Sequence, residues 1–444
     1  MNCGCLVILL ENVEIVIRGG VVLPMTGQNV IDEGLVAIKN DVIVYVGKAS
    51  KSPKFSAEKI IEGKGKAIMP GLVNCHTHVS MTLFRGLAED QSFLRWLEEI
   101  IWPLEVKLKP EDIYAGALLG CLEMLKTGTT CFADMYFNED MVAKAVQELG
   151  LRAMLAPGII ESQNIAQTEK MLERSIIAAQ KLHGSAQGRI RFQLGPHAVY
   201  SCSPELLKRI HEAALKLHAG LHIHLAESED LARQVKEKYG MTETQLLEKI
   251  GLLSSNLLAA HCIYLSKREI KTLAKHQVKV AYNPVANMKL AQGVPRIVDL
   301  VRAGVSVGIG TDGPASNNSL DMFQTVKTAS LLQKVRYKDS TVLPSHQALE
   351  MATREGAKVL GIENVVGTLE AGKKADLIII DLKKPHLSPM HDIYANLVYS
   401  ATGSDVDTVM VNGKILMENR QVTVADEEKI LKKAQKTAQN LLAR

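Results

Sequence analysis

From residue 69 to 374 the chain alternates eight short apolar runs with segments whose apolar residues recur at helical spacing, and few architectures accept that pattern. The runs cover 71–75, 129–135, 151–158, 190–195, 220–225, 257–260, 278–282 and 305–310. Runs this short and this apolar suit buried strands. Between them, 111–126, 140–149, 168–183, 204–217, 229–238 and 267–276 read as helices, several opening on a Ser-Pro or Asp-type start signal. Eight β–α units over roughly 300 residues point to an α/β fold of the (β/α)8 TIM-barrel type. A doubly wound open sheet is the alternative, but it wants a glycine-rich phosphate turn after its first strand, and none follows the run at 71–75.

The two ends of the chain read differently. Residues 13–18, 34–39, 42–46 and 60–62 alternate or run apolar between Gly, Asn and Asp turns, with Asn40-Asp41 as a hairpin. Strand patterns return at 375–381, 406–411 and 414–417, the last two joined by Asn412-Gly413, a strong hairpin signal. The expected organisation is therefore 1–68 as the N-terminal part of a small β-sandwich, 69–374 as the barrel, and 375–444 as the rest of the sandwich with a terminal helix. The connection at 90–110 carries both Trp96 and Trp102 and is expected to cover the site. The apolar run at 6–10 follows no Lys or Arg, so it reads as a strand and not as a secretory signal. Cys3-Gly-Cys5 has no partner pair nearby.

Net charge is only +4, without a basic block, which excludes nucleic acid or a membrane surface as the expected partner. Seven cysteines, an odd number scattered over 444 residues, suggest reduced thiols in a cytoplasm. A homo-oligomer, dimer or tetramer, is expected.

The chemistry gathers at the ends of the apolar runs. The first ends in His76 and His78, two residues apart, so both imidazoles face the same way. The fourth runs into His197, the fifth into His222, His224 and Glu227, the sixth into His261 and the eighth into Asp312. Barrel enzymes place their active sites at the C-terminal strand ends. The chosen ligand set is His76, His78, His224 and Asp312, which suits one Zn²⁺ or Fe²⁺ with an open position for water. His222 shares the parity of His224 and competes for its place, although the His-x-x-Glu spacing favours His224. An ion so held lowers the pKa of its water towards about 7. Glu227 could take that water's proton and pass it to a leaving group, while His261 polarises the water or a developing oxyanion. Asp312 could both bind the ion and orient the water. Blander roles exist: Glu227 as a helix N-terminal acid, His261 as a hydrogen-bonding support, and His197 as a core histidine at a turn.

Several stretches resemble the amidohydrolase superfamily, and within it the 5′-methylthioadenosine/S-adenosylhomocysteine deaminases. They are PGLVNCHTHVSMTLFRGLAED, WLEEIIWPLE, GPHAVYSCSPELL, HIHLAES, NPVANMKLAQG, GTDGPASNNSLDMF and VGTLEAGKKADLIIID. The resemblance implies a mononuclear site on His76, His78, His224 and Asp312, with Glu227 and His261 as the proton-transfer pair. It also implies Glu105 on the ribose hydroxyls and His197 on the substrate. RIRFQLGPHAVY contains no lysine that could be carbamylated to bridge two metals, which favours one ion, whether zinc, iron, nickel or manganese. A carboxylate suits a vicinal diol through two hydrogen bonds. The family's arginine near the third strand has no direct counterpart, because that run ends Ala156-Pro157-Gly158; Arg152, at its start, is carried over as a substrate-binding candidate. Ala286 stands where the family has a serine.

The expected reaction is hydrolytic deamination of a 6-aminopurine nucleoside: methylthioadenosine, S-adenosylhomocysteine or adenosine. Glu227 would protonate N1 and then the departing ammonia. The alternatives are a guanine deaminase, an s-triazine amino- or chlorohydrolase, or a metal-free scaffold.

Overall fold

The computed structural model describes residues 11–444; the run at 6–10 and Cys3-Gly-Cys5 lie outside the described residues. Two parallel sheets occupy the middle of the chain. One is built from Leu72–Thr77, Thr129–Tyr136, Arg152–Ile159 and the short pair Ile190–Phe192 and Gly195–Pro196. The other takes Leu221–Leu225, Leu257–His261, Lys279–Tyr282 and Val307–Ile309 in that order. Each strand falls on one of the eight apolar runs, and every neighbouring pair is parallel. Single parallel bridges, Leu194 to Leu221 and Ala198 to His224, join the sheets along one edge. Along the other, the Asp312 N–H donates to the His76 carbonyl at 2.9 Å.

The helices between these strands cover them by burying one stripe each. Pro110–Lys126 starts on a proline, whose missing N–H costs nothing in the first turn. Asp112 accepts the Lys109 N–H at 2.9 Å and caps it. Ile113, Ala117, Cys121, Met124 and Leu125 then recur at helical spacing and are buried, each large side chain contributing roughly 1.5–3 kcal/mol. Among the described residues, no helix is long and apolar enough to cross a membrane.

The strands from both chain ends meet in one nine-stranded sheet. The seam is antiparallel, between Lys66–Pro70 and Leu377–Asp381, with Met69 opposite Ile378. The alternation of Glu11–Val22 sends Ile15 and Ile17 to one apolar cluster, with Ile38, Leu377 and Ile379. Val16, of the opposite parity, goes to another with Leu35 and Ala37. The Asn412-Gly413 turn has φ of 48° and 70°, the left-handed pair that a tight hairpin requires.

Where the end sheet meets the parallel strands, Arg152 is buried. Its Nε donates to Asp376 Oδ2 at 2.9 Å and its Nη2 to Asp376 Oδ1 at 3.1 Å. Asn412 accepts from the same guanidinium, and its own N–H donates to Asp376 Oδ1 at 2.8 Å. Arg152 is thus no substrate arginine. It sits at the N-terminal start of its strand, and the pairing that occupies its donors holds the end sheet in place.

Candidate metal and active site

Three chain segments leave their strands through left-handed residues at the C-terminal end of the parallel sheets. Ala226, His261, Cys262 and Asp312 have φ of 51°, 71°, 53° and 63°. Such conformations cost a side-chain-bearing residue free energy, and they cluster where function needs a sharp aim. Gly310 shows how tight the approach is: a Cβ there would lie 2.4 Å from Asn283 Oδ1 and 2.9 Å from the His76 N and O.

These turns bring the expected side chains together. Asp312 Oδ1 lies 3.5 Å from His76 Nε2 and 3.3 Å from His78 Nε2. His78 Nε2 and His224 Nε2 are 3.3 Å apart. Ligand atoms of His76, His78 and Asp312, and of His76, His224 and His261, fall within 4.8 Å of one another in two overlapping groups. His261 Nε2 is 3.7 Å from Glu227 Oε1. Gln292 donates to the same Glu227 oxygen at 2.8 Å.

The donor set fits a divalent cation, and the hydrogen bonds around it say so independently. His78 Nδ1 faces the Met135 carbonyl at 2.5 Å, and His224 Nδ1 faces the His197 carbonyl at 2.9 Å. A carbonyl only accepts, so both rings carry their proton on Nδ1. Their Nε2 lone pairs therefore face each other, an arrangement that a shared positive charge relieves. His76 Nε2, buried, has no hydrogen-bond partner among the described residues, and neither has His261 Nε2.

Charge states agree with ligand duty. Burial, with neighbouring imidazoles adding to it, pushes His197 down to about 3 and His224 well below the usual imidazole range. Burial takes His76 down to about 4 in spite of the Asp312 carboxylate 3.5 Å away. Burial alone would raise Asp312, but the surrounding histidines, His76 first among them, hold it well below the carboxylate range. Neutral imidazoles and an ionised carboxylate are the forms that bind metal. Glu227 goes the other way: burial raises its pKa, with His261 opposing. A carboxyl raised towards neutrality can both accept and return a proton.

An inner cavity of about 60 Å³ lies over this cluster, lined by His78, Glu227, His261 and Asp312 and roofed by Trp96 and Leu97. The roof belongs to the helical turns Arg95–Ile101 and Trp102–Glu105, so the connection carrying both tryptophans does cover the site. An outer cavity of about 940 Å³ shares Trp102, Glu105, Phe137, Gly158 and Ile160 with the inner one. Glu105 stands half-buried at that junction, its carboxyl pushed up to about 7 by burial, with the neighbouring Tyr136 opposing. His197 lines the inner cavity, with Nδ1 2.8 Å from Ser201 Oγ.

Several contributors escape the sequence reading. His261 Nδ1 lies 2.9 Å from Asn287 Oδ1 and 3.4 Å from Asn283 Nδ2; with the nearer Asn287 oxygen as acceptor, the lone pair of His261 falls on Nε2. Asn287 and Gln292 both lie in NPVANMKLAQG, which stood out as a motif but suggested no role. The Met135 carbonyl offers no side-chain signal at all.

A model described as the amidohydrolase family matches residues 67–416. The chain belongs to that family. It is 48% identical over 430 residues, 97% of this chain and 99% of the relative, to a 5-methylthioadenosine/S-adenosylhomocysteine deaminase of Desulforudis audaxviator. It is also 48% identical over 432 residues, again 97% and 99%, to a 5′-deoxyadenosine deaminase of Methanosarcina acetivorans. Among solved structures, an adenosine deaminase from Xanthomonas campestris with bound zinc superposes with a TM-score of 0.95 at 32% identity, over 98% of this chain and 100% of that one.

Proposed function

We propose that this chain is a metal-dependent hydrolytic deaminase that converts the 6-amino group of 5′-methylthioadenosine or S-adenosylhomocysteine, with adenosine as a further candidate, to the inosyl product and ammonia. The carrying observation is Glu227: a half-buried carboxyl, raised by loss of solvation, set between His261 and Gln292 beside the His/Asp cluster. The names of the relatives, and the zinc bound by the Xanthomonas structure, support the same reading.

One divalent ion, zinc by preference over iron, nickel or manganese, would be held by His76, His78, His224 and Asp312 and would supply a water acidic enough to ionise near neutral pH. His261, its proton on Nδ1, offers the Nε2 lone pair to orient the attacking water. Glu227 takes one proton from the attacking water and delivers it to N1 as oxygen adds to C6; it then takes the second proton from the hydroxyl now on C6 and gives it to the amine as the C6–N bond breaks and the C6 carbonyl forms. Glu105 accepts from the two ribose hydroxyls at the junction of the cavities, and His197 offers its free ring nitrogen to the substrate. Beyond Glu105, the outer cavity has room for a 5′ substituent as long as homocysteine.

In this reading the two parallel sheets form one closed (β/α)8 barrel over 69–374. The nine-stranded sheet folds over its apolar clusters as the sandwich of 1–68 and 375–444. Five described cysteines, all buried and unpaired, support a reducing cytoplasm. A homo-oligomer, dimer or tetramer, is also proposed, for which light scattering is the test.

Ammonia release measured with methylthioadenosine, S-adenosylhomocysteine, adenosine and guanine, on protein of known metal content, tests the proposal. Turnover of the adenine nucleosides is expected. Release from guanine alone would overturn it in favour of a guanine deaminase, and absence of a stoichiometric metal in all preparations would overturn the metal site.

A further inference from the structure

Two of the three proposed imidazole ligands are held in one way and the third in another. His78 and His224 each give their Nδ1 proton to a main-chain carbonyl. At His76 Nδ1 the partner is His222 Nε2, 2.9 Å away, with the two rings edge to face. His222 and His224 lie on the same face of Leu221–Leu225, one step apart along the strand. One strand therefore supplies a ligand and, below it, the support of a ligand on another strand.

A carbonyl fixes the direction of its hydrogen bond; an imidazole does not. If His222 donated to His76, the lone pair of His76 would lie on Nδ1, and its Nε2, 3.5 Å from Asp312 Oδ1, would carry a proton into the cluster. A ring in that state cannot bind a cation through Nε2. We infer that His222 is a positioning residue for the metal: its Nε2 lone pair accepts the His76 Nδ1 proton, which fixes the His76 tautomer, aims its ring and strengthens its hold on the ion. This rests on the ligand set proposed above.

The arrangement has a visible cost. With Nε2 accepting, the proton of neutral His222 sits on Nδ1, which is buried and has no partner among the described residues. An unpaired buried N–H is worth about 1–3 kcal/mol against folding. The fold carries that burden at a place where an aliphatic side chain would pack without it, which is what a residue kept for its lone pair looks like.

The experiment is zinc competition against a chromophoric chelator, run on the native chain, His222→Leu and His222→Gln. Glutamine places an acceptor oxygen about where Nε2 stands; leucine fills the space without one. The expected result is a loss of zinc affinity of about 10–100-fold for leucine and restoration to within about threefold for glutamine. Native affinity in the leucine variant overturns the inference, as does an equal loss in both variants. Should the leucine variant fail to fold, ¹⁵N shifts of the zinc-loaded native chain decide: the proton on His222 Nδ1 supports the inference, and the proton on Nε2 overturns it. A native chain that takes up no zinc removes the metal reading itself, and the inference with it.

Discussion

The two ends of the parallel strands both bury charge, and they treat it in opposite ways. At the N-terminal end, Arg152 and Asp376 pair through two hydrogen bonds, and Asn412 takes up further capacity on both. At the C-terminal end, His76 Nε2 and His261 Nε2 have no hydrogen-bond partner among the described residues, and two imidazole lone pairs face each other at 3.3 Å. A buried polar group left unpaired costs about 1–3 kcal/mol, so folds retain few without a reason. The closed network does nothing but hold two sheets together. The open one waits for a cation and a substrate. Within one molecule, the completeness of its hydrogen bonding separates a buried charge that builds the fold from one that serves chemistry.

Glu227→Gln should have the largest effect at the open end. It keeps the shape and the Gln292 contact but removes the proton carrier, so kcat should fall by about 10²–10⁴ with metal content unchanged. Retained deamination would place the proton path elsewhere and leave Glu227 with a packing role.

Arg152→Met tests the closed end. It strands Asp376 in a buried position and should cost about 3–5 kcal/mol of stability in denaturant titration. Turnover per folded molecule should stay native. A variant of native stability but poor kcat/KM would return Arg152 to the substrate and dissolve the contrast. Chelation of the metal should act in between: with free zinc near a thousand times its dissociation constant, removing it should lower stability by about 4 kcal/mol, and Arg152→Met should leave that increment intact.

How far these ends could be told apart in advance depends on the range of the information. Strand parity and strand endings are local properties, so His76, His78, His224 and Asp312 were legible as a convergent set, and the eight strands with them. The Asn412-Gly413 hairpin was legible because its two left-handed residues are written in two letters. The break in the fourth strand between Phe192 and Gly195 was not, because it answers to what packs against it, and the roof formed by 95–105 was legible only as a connection that covers the site, not as helical turns. Arg152 was misread for the same reason: its neighbour Asp376 lies 224 positions away, and nothing near Arg152 in the chain announces it. The partners of the site, such as Asn287, Gln292 and the Met135 carbonyl, depend on which loop crosses which strand end. His222 was seen only as a rival of His224, because parity places both on one face and says nothing of what lies beyond each ring.

Between the two extremes stands Glu105, half-buried at the cavity junction, and it should show the smallest effect. Glu105→Ala should raise KM for nucleosides by about tenfold, roughly one charge-assisted hydrogen bond, and leave free bases unaffected. Its pH dependence gives a finer reading. Burial raises this carboxyl from the ordinary 4.5 to about 7, and only the ionised form accepts from both ribose hydroxyls. The binding contribution is therefore present above about pH 7 and lost as pH falls through it. The ratio of kcat/KM for a nucleoside to that for its free base should decline on the acid side of 7, a ratio in which Glu227 and the metal water cancel because both substrates use them. In Glu105→Gln that acid limb should vanish. A limb that persists in the variant would assign the titration to another group and move the ribose away from the junction.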